Sequence, residues 1–254
     1  MLFALLLAAQ IQLSPVSFPS KDAGVTLTGT LYEPAGSAVR VPSVVIMHAC
    51  NGLDSDVTDW GNWFAQNGYV ALAVDSFSPR HVRRVCGTHD VPPATRALDA
   101  YGGLAYLRTL PDVDGAHVGI IGFSHGGGTV LRTENADIAA RAGFTGSGFA
   151  AAVALYPSEC DKDPTSALIA PLLLLIGASD DWTDAKSCET FMSRVDPSAA
   201  TGTIHIYPGT YHKFDDPTEN RYVRVNGHIY TLRYNAASAA DAHDRVLAFF
   251  KQYL

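Results

Sequence analysis

GFSHGG, at residues 122–127, follows the apolar run HVGII (117–121) and leads into TVLR (129–132). A short β-branched apolar run is typical of a fully buried parallel strand. In the order strand, tight turn, helix, the pattern Gly-x-Ser-x-Gly predicts a nucleophile elbow, whose glycines are needed because strand and helix pass too close for larger side chains. Ser124 is then the candidate nucleophile, and the main-chain N–H of His125, at the start of the helix, is a candidate oxyanion donor.

Two further apolar strands end at the residues that a serine nucleophile needs. LLLLIGASD (172–180) ends at Asp180, and IHIYPGTYH (204–212) ends at His212. The chain order Ser, Asp, His is the one expected of an α/β-hydrolase. The sequence therefore predicts the α/β-hydrolase fold, a central and mostly parallel sheet of about eight strands with helices on both faces.

The loop after the third predicted strand, at 43–47, is expected to supply the second oxyanion donor. Such a loop lies beside the nucleophile, and the main-chain N–H of Cys50 is the best placed. His48 begins the same loop. We expect His48 to brace the loop by hydrogen bonds rather than to transfer protons, because His212 has the better claim to that task.

The remaining segments agree with this fold. The patterns predict an opening antiparallel hairpin over 13–34, strands at 69–74 and 149–157, helices at about 59–67, 93–110, 184–195 and 235–253, and a type I′ hairpin over 222–232. Because that hairpin directly follows His212, we expect it to cover one side of the site.

Length, composition and charge limit the class of protein. A chain of 254 residues, 47% hydrophobic, can bury one large core, and we expect a single domain over residues 13–254. The net charge of −7 and a basic cluster confined to Arg80–Arg84 argue against nucleic acid as a partner. No apolar run reaches the roughly 20 residues of a membrane span.

A small-molecule ester is the expected partner, and a monomer is favoured.

The N-terminus and the cysteines point to export. Residues 1–12 resemble the apolar part of a signal peptide, although the start lacks the usual Lys or Arg; an ordinary apolar strand or helix is the alternative. The four cysteines have no Cys-x-x-Cys spacing, and their even number suits an oxidising compartment. We therefore expect a periplasmic or extracellular protein. Four buried thiols remain the alternative, and three disulfide pairings are open.

The chain resembles the dienelactone hydrolase family of α/β-hydrolases from about Leu27 to Leu254. The resemblance is carried by MHACNG (47–52), GYVALAVD (68–75), the elbow (122–127), GASDD (177–181) and YPGTYHKFD (207–215). It implies that Ser124 is the nucleophile, Asp180 the acid and His212 the base. Asp180 is preferred over Asp181 because it directly follows the strand exit, where the family's acid falls.

Two positions depart from the family pattern. The founding dienelactone hydrolases have a cysteine nucleophile and a glutamate after the third strand, where this chain has Ser124 and Ala49. A serine activated by His212 does not need that glutamate. The family's lactonases hold a substrate carboxylate with two arginines; Arg80 matches one, but the other position is Asp216, which would repel a carboxylate.

Arg80 is accordingly expected to hold a polar or anionic group of the substrate, with a modest preference for acidic esters. The alternative is a structural arginine paired with a carboxylate such as Asp75.

The expected strand order implies the disulfide pairing. In this fold the strands that end before Cys50 and Cys86 are neighbours, and so are those that end before Cys160 and Cys188. The pairing Cys50–Cys86 and Cys160–Cys188 follows.

The predicted reaction is hydrolysis of small to medium esters or lactones through an acyl-enzyme, with no metal or organic cofactor. A serine peptidase or amidase on the same fold is an alternative, which the absence of a propeller or large cap region in the sequence disfavours. A catalytically silent binding protein is another, because fold alone does not prove function.

Overall fold

The computed structural model describes residues 11–36, 39–88, 90–162 and 167–254. The predicted signal-peptide segment lies outside these residues except for Ile11 and Gln12, which begin the first strand. The strands are β1 (Ile11–Pro19), β2 (Thr26–Pro34), β3 (Val41–Met47), β4 (Val70–Asp75), β5 (Val113–Phe123), β6 (Ala151–Leu155), β7 (Leu172–Gly177), β8 (Gly202–Tyr207), β9 (Asn220–Val225) and β10 (His228–Arg233). The helices are α1 (Ser55–Gln66), α2 (Pro93–Leu107), α3 (His125–Thr133), α4 (Ala136–Arg141), α5 (Ala185–Ser193) and α6 (Ala236–Tyr253), with a short 3-10 turn at Ser78–Arg80.

Eight strands form one sheet in the order β1-β2-β4-β3-β5-β6-β7-β8. The pairs β1–β2 and β2–β4 are antiparallel, and all the others are parallel. Every residue of β6 and of β7 is buried. Because alternate residues of a strand point to opposite faces, both faces of this part of the sheet are covered. The predicted α/β-hydrolase fold is confirmed.

The helices differ from the sequence analysis at two places. α1 begins at Ser55 rather than near 59, because the aromatic spacing begins only at Trp60 and gave no sign of the first turn, where Asp56 and Val57 are also buried. α4 was not predicted. Its signal was Asn135, whose side chain accepts hydrogen bonds from the main-chain N–H groups of Asp137 and Ile138 and so caps the helix.

The sheet brings the loops with functional residues to one edge. The parallel strands β3, β5, β7 and β8 run in the same direction, so the segments after their carboxyl ends meet there. Disulfides join Cys50 to Cys86 and Cys160 to Cys188, each with a Cα–Cα distance of 4.9 Å, and the expected pairing is present. Within the described ranges, no helix has both the length and the hydrophobicity needed to cross a membrane.

Candidate active site

The turn between β5 and α3 holds Ser124 in an unusual backbone conformation. Its φ is 52° and its ψ is −111°, a region that side-chain-bearing residues rarely occupy. The glycines around it are required by close contacts. A Cβ on Gly122 would lie 2.2 Å from the carbonyl oxygen of Gly126, and one on Gly126 would lie 2.0 Å from that of Met47. The backbone of this turn can pack so closely only because Gly122 and Gly126 have no side chains, and it holds Ser124 at the tip of the turn.

Ser124, His212 and Asp180 form a continuous hydrogen-bonded line. The Ser124 Oγ lies 2.9 Å from His212 Nε2, and His212 Nδ1 lies 2.7 Å from Asp180 Oδ2. Ser124 is 6% exposed and His212 is 1% exposed. Since the carboxylate can only accept, Nδ1 carries the proton and Nε2 is left to accept from the serine hydroxyl.

Other donors hold the Asp180 carboxylate in place. The main-chain N–H groups of Trp182 and Thr183 donate to its Oδ1 at 2.9 and 2.8 Å, and the Thr183 hydroxyl donates to Oδ2 at 2.9 Å. These bonds fix the orientation of the carboxylate toward His212. Asp181, the neighbouring acid, points elsewhere and accepts from Thr231.

The two candidate oxyanion donors belong to different segments, the helix after Ser124 and the loop after β3. His125 is the first residue of α3, and main-chain N–H groups at this position point out of the helix end. Cys50 is held by its disulfide to Cys86 and by a hydrogen bond from the N–H of Val85 to its carbonyl oxygen at 2.8 Å. Both His125 and Cys50 line space next to the serine.

Two cavities meet at Ser124. The larger has a volume of about 630 Å³, and the smaller of about 440 Å³. Among the described residues, four line both cavities: Cys50, Cys86, Ser124 and Trp182. A substrate whose carbonyl reaches Ser124 can therefore place one group in each cavity.

A buried ionic cluster reaches the wall of the larger cavity through Lys213 and Glu219. Lys213 directly follows His212, has a φ of 53° and is 4% exposed. Its Nζ lies 2.9 Å from Asp54, 3.3 Å from Asp56 and Asp216, and 3.6 Å from Glu219. Burial opposes its charge, but Asp56 and then Asp54 outweigh this effect and raise the pKa of Lys213. The cluster ties the segment after His212 to the start of α1.

The carboxyl groups of this cluster are not equivalent. Burial, and after it the hydrogen bond with Asp54, raises the pKa of Asp56 well above its ordinary value. For Asp54 burial acts in the same direction, but the hydrogen bond from Asp56 and the charge of Lys213 outweigh it and lower the pKa. Asp56 therefore holds a proton to a higher pH than Asp54.

Arg80 lies apart from both cavities. Its guanidinium contacts Asp99 through two bonds of 2.8 and 2.9 Å and Asp22 at 3.2 Å, and it donates to the carbonyl oxygen of Ser76. This placement favours the structural alternative, with Asp99 and Asp22 as partners rather than Asp75. Asp75 instead accepts from the main-chain N–H groups of Phe77 and Ser78. The substrate-binding role of Arg80 stays a prediction.

His48 is fully buried and takes part in bracing the loop. Its Nε2 accepts from the N–H of Ser76 at 3.3 Å, so Nδ1 carries the proton and donates to the carbonyl oxygen of Ala49 at 2.7 Å. Burial, and then the charge of Arg96, lowers the pKa of His48 well below its ordinary value. The ring is therefore neutral, as a bracing role requires.

The sequence analysis did not identify Trp182 and Lys213 as residues of the site. Trp182 lines both cavities, and its ring lies 5.2 Å from that of His212. Its position two residues after Asp180 was the available signal.

In the part of the chain that the structure covers, no group of three or more His, Cys, Asp or Glu is arranged to hold a metal ion.

Known proteins resemble this chain. The model of the dienelactone hydrolase family matches residues 27–254. A Bradyrhizobium protein, named as a lactonase of 2-oxo-3-(5-oxofuran-2-ylidene)propanoate, is 27% identical over 197 residues, which cover 72% of this chain and 77% of that protein. A Synechocystis protein, named as a carboxymethylenebutenolidase, is 25% identical over 98% of this chain and 100% of its own. A solved structure from Klebsiella pneumoniae, titled as a dienelactone hydrolase, has the same fold, with a TM-score of 0.73 and 22% identity over 96% of this chain and 100% of that one.

Proposed function

The chain belongs to the dienelactone hydrolase family and is a hydrolase of lactones or esters, and from this premise we propose that it is a serine hydrolase working through an acyl-enzyme. One observation carries the proposal. The hydrogen-bonded line from Ser124 through His212 to Asp180 starts at the point where the two cavities meet. A nucleophile, its base and the group that orients the base thus lie where a substrate has access.

In the proposed reaction, His212 Nε2 takes the Ser124 proton as Oγ attacks the carbonyl carbon of an ester or lactone. The main-chain N–H groups of His125 and Cys50 bind the resulting oxyanion. The tetrahedral intermediate collapses, the C–O bond to the alcohol breaks, and His212 gives its proton to the leaving oxygen. Water, activated by His212, then attacks the acyl-enzyme and releases the acid. Asp180 stabilises the imidazolium in both halves.

The cavities support small to medium substrates. Cavities of about 630 and 440 Å³ can hold the acyl group and the alcohol group of a small ester, one in each cavity. Each group can be as small as a few carbons or as large as one ring. For a lactone the alcohol remains attached to the acyl group, so one molecule would span both cavities. The names of two relatives, a lactonase and a carboxymethylenebutenolidase, are consistent with a lactone as the substrate.

The disulfides support the proposal that the protein is exported. Cys50–Cys86 and Cys160–Cys188 account for all four cysteines. Disulfides persist in oxidising compartments and are rare where thiols are kept reduced.

A fluorophosphonate probe and a set of esters test the proposed function. We expect the probe to label Ser124 in the wild type, and Ser124→Ala and His212→Ala to remain folded while losing more than about a thousandfold in kcat. Ser193→Ala, on the far end of α5, is the matched control and should keep labelling and turnover. Folded Ser124→Ala with near wild-type kcat would overturn the proposal. Turnover of anilides as fast as that of matched esters would favour the peptidase alternative.

A further inference from the structure

Arg96, in α2, carries a positive charge into the interior, where it contacts both segments that bear the candidate oxyanion donors. It is 0% exposed. In the described parts of the chain, no carboxylate oxygen lies within ion-pair distance of its guanidinium, and Asp99, one turn further along α2, binds Arg80 and Ser20 instead. Burial lowers the pKa of Arg96 to about 9, which still leaves it protonated at neutral pH. A buried charge with no contacting counter-ion is costly, so its position calls for a physical reason.

The two ends of the Arg96 guanidinium contact the two segments that carry the oxyanion donors. Nη1 lies 2.8 Å from His125 Nδ1, on the first residue of α3. Nη2 donates at 2.8 Å to the carbonyl oxygen of His48, two residues before Cys50. Since arginine can only donate, His125 Nδ1 is the acceptor. The Phe77 ring, whose centroid is 4.9 Å from the guanidinium carbon, covers one face.

We propose that Arg96 is a positioning residue that sets the spacing of the two oxyanion donors by bridging the β3 exit loop and the elbow helix. The inference rests on the serine-hydrolase function proposed above. A planar fork with donors on two nitrogens can join two fixed acceptors in one geometry, which a flexible ammonium cannot. The positive charge of Arg96 has no contacting counter-ion in the resting enzyme, and the oxyanion supplies a negative charge near it when it forms. Arg96 therefore stabilises the transition state more than it stabilises the resting enzyme.

The test compares Arg96→Met with Arg108→Met. Arg108 is the control because its guanidinium also joins two separate segments, in its case through the main-chain carbonyls of Gly115 and Gly148 at 2.8 and 2.7 Å, but does not contact His48 or His125. Active sites are counted with a fluorophosphonate, so that an inactive fraction does not lower the measured kcat. Per active site, we expect Arg96→Met to lower kcat about 30- to 300-fold with KM within threefold, by comparison with the loss of an oxyanion donor.

An inhibitor that forms an oxyanion separates positioning from general stability. A trifluoromethyl ketone adds to Ser124 as a tetrahedral adduct, so its Ki should rise in Arg96→Met by about the same factor as kcat falls. A role in folding alone would leave Ki and KM of the remaining active sites unchanged. Arg108→Met should keep kcat and Ki within threefold of the wild type.

A second substitution keeps the proposal testable if Arg96→Met does not fold. His125→Phe removes the Nδ1 acceptor but keeps the main-chain N–H. We expect His125→Phe to raise Ki and to lower kcat, each by a smaller factor than Arg96→Met does. In an Arg96→Gln background, His125→Phe should change kcat and Ki little further, because both substitutions break the same bridge. Wild-type kcat and Ki in folded Arg96 variants would overturn the inference. Effects of His125→Phe and Arg96→Gln on kcat that simply multiply in the double variant would overturn it as well. Absence of wild-type ester turnover or of Ser124 labelling would instead overturn the proposed function itself.

Discussion

Asp180 and Asp181 are adjacent in sequence but have different partners. Asp180 accepts from His212 Nδ1, whereas Asp181 accepts from the main-chain N–H and the hydroxyl of Thr231 at 2.9 and 2.8 Å. The chain turns just after β7, so the two carboxylates point to different sides of it. One orients the candidate base, and the other holds β10 against the exit loop of β7.

Asp180→Asn should therefore lower kcat by about 10⁴-fold, because the amide no longer fixes the imidazole tautomer. Asp181→Asn should keep kcat within about tenfold and act mainly on KM, through the hairpin. Steady-state kinetics of the two folded variants on one ester measure the difference. If Asp181→Asn were the damaging change and Asp180→Asn were silent, the assignment of the acid would have to be exchanged.

The hairpin formed by β9 and β10 covers the site and is attached to its surroundings at two points. Midway along the hairpin, Tyr230 stacks on Trp182 with ring centroids 4.8 Å apart and an interplanar angle of 8°. At its tip, the Asn226 side chain donates to the carbonyl oxygen of Gly87, next to Cys86. The hairpin also supplies Val223 and Leu232 to the wall of the larger cavity. It thus confirms the expectation of an Asn-Gly hairpin beside the candidate base.

Tyr230→Ala should loosen this cover without touching the reacting groups. A stacked aromatic pair contributes about 0.5–1.5 kcal/mol, which corresponds to a rise in KM of about 2- to 10-fold if the stack shapes the cavity. Tyr222→Ala, on the opposite face of the hairpin and 68% exposed, is the control and should leave KM unchanged. Equal KM values for wild type and Tyr230→Ala would show that the stack does not shape the substrate cavity.

The two disulfides join different parts of the loop edge of the sheet. Cys50–Cys86 spans 36 residues and holds the loop that carries a candidate oxyanion donor. Cys160–Cys188 spans 28 residues and joins the β6 exit loop to α5. By the chain-entropy estimate each contributes roughly 3.5 to 4 kcal/mol to the free energy of unfolding. Their effects on stability should be similar, whereas their effects on turnover should differ.

We expect the double variant Cys50→Ala/Cys86→Ala to lower kcat about tenfold or more in addition to its loss of stability, because the N–H of residue 50 is no longer held. Cys160→Ala/Cys188→Ala should lose comparable stability and less than threefold in kcat. Urea unfolding and ester kinetics at 25 °C give both quantities. A larger loss of kcat in the second variant would contradict the role assigned to the Cys50 loop.

Much of the fold and the candidate triad could be predicted from local patterns. The apolar runs before Ser124, Asp180 and His212 read as strands, and parallel strands of one sheet place their carboxyl ends at one edge. Three residues far apart in sequence could therefore be assigned to one place without knowledge of any contact. The strand neighbours of the expected fold likewise gave the disulfide pairing.

Contacts between distant side chains could not be predicted in this way. Arg96 meets His48 and His125, 48 and 29 positions away, and Lys213 meets Asp54, 159 positions away. No periodicity marks such partners, because they depend on how helices pack on the sheet. Arg80 shows the same limit. Its loop position could not reveal that the packing of α2 brings Asp99 within 2.8 Å of its guanidinium, in a contact of two hydrogen bonds.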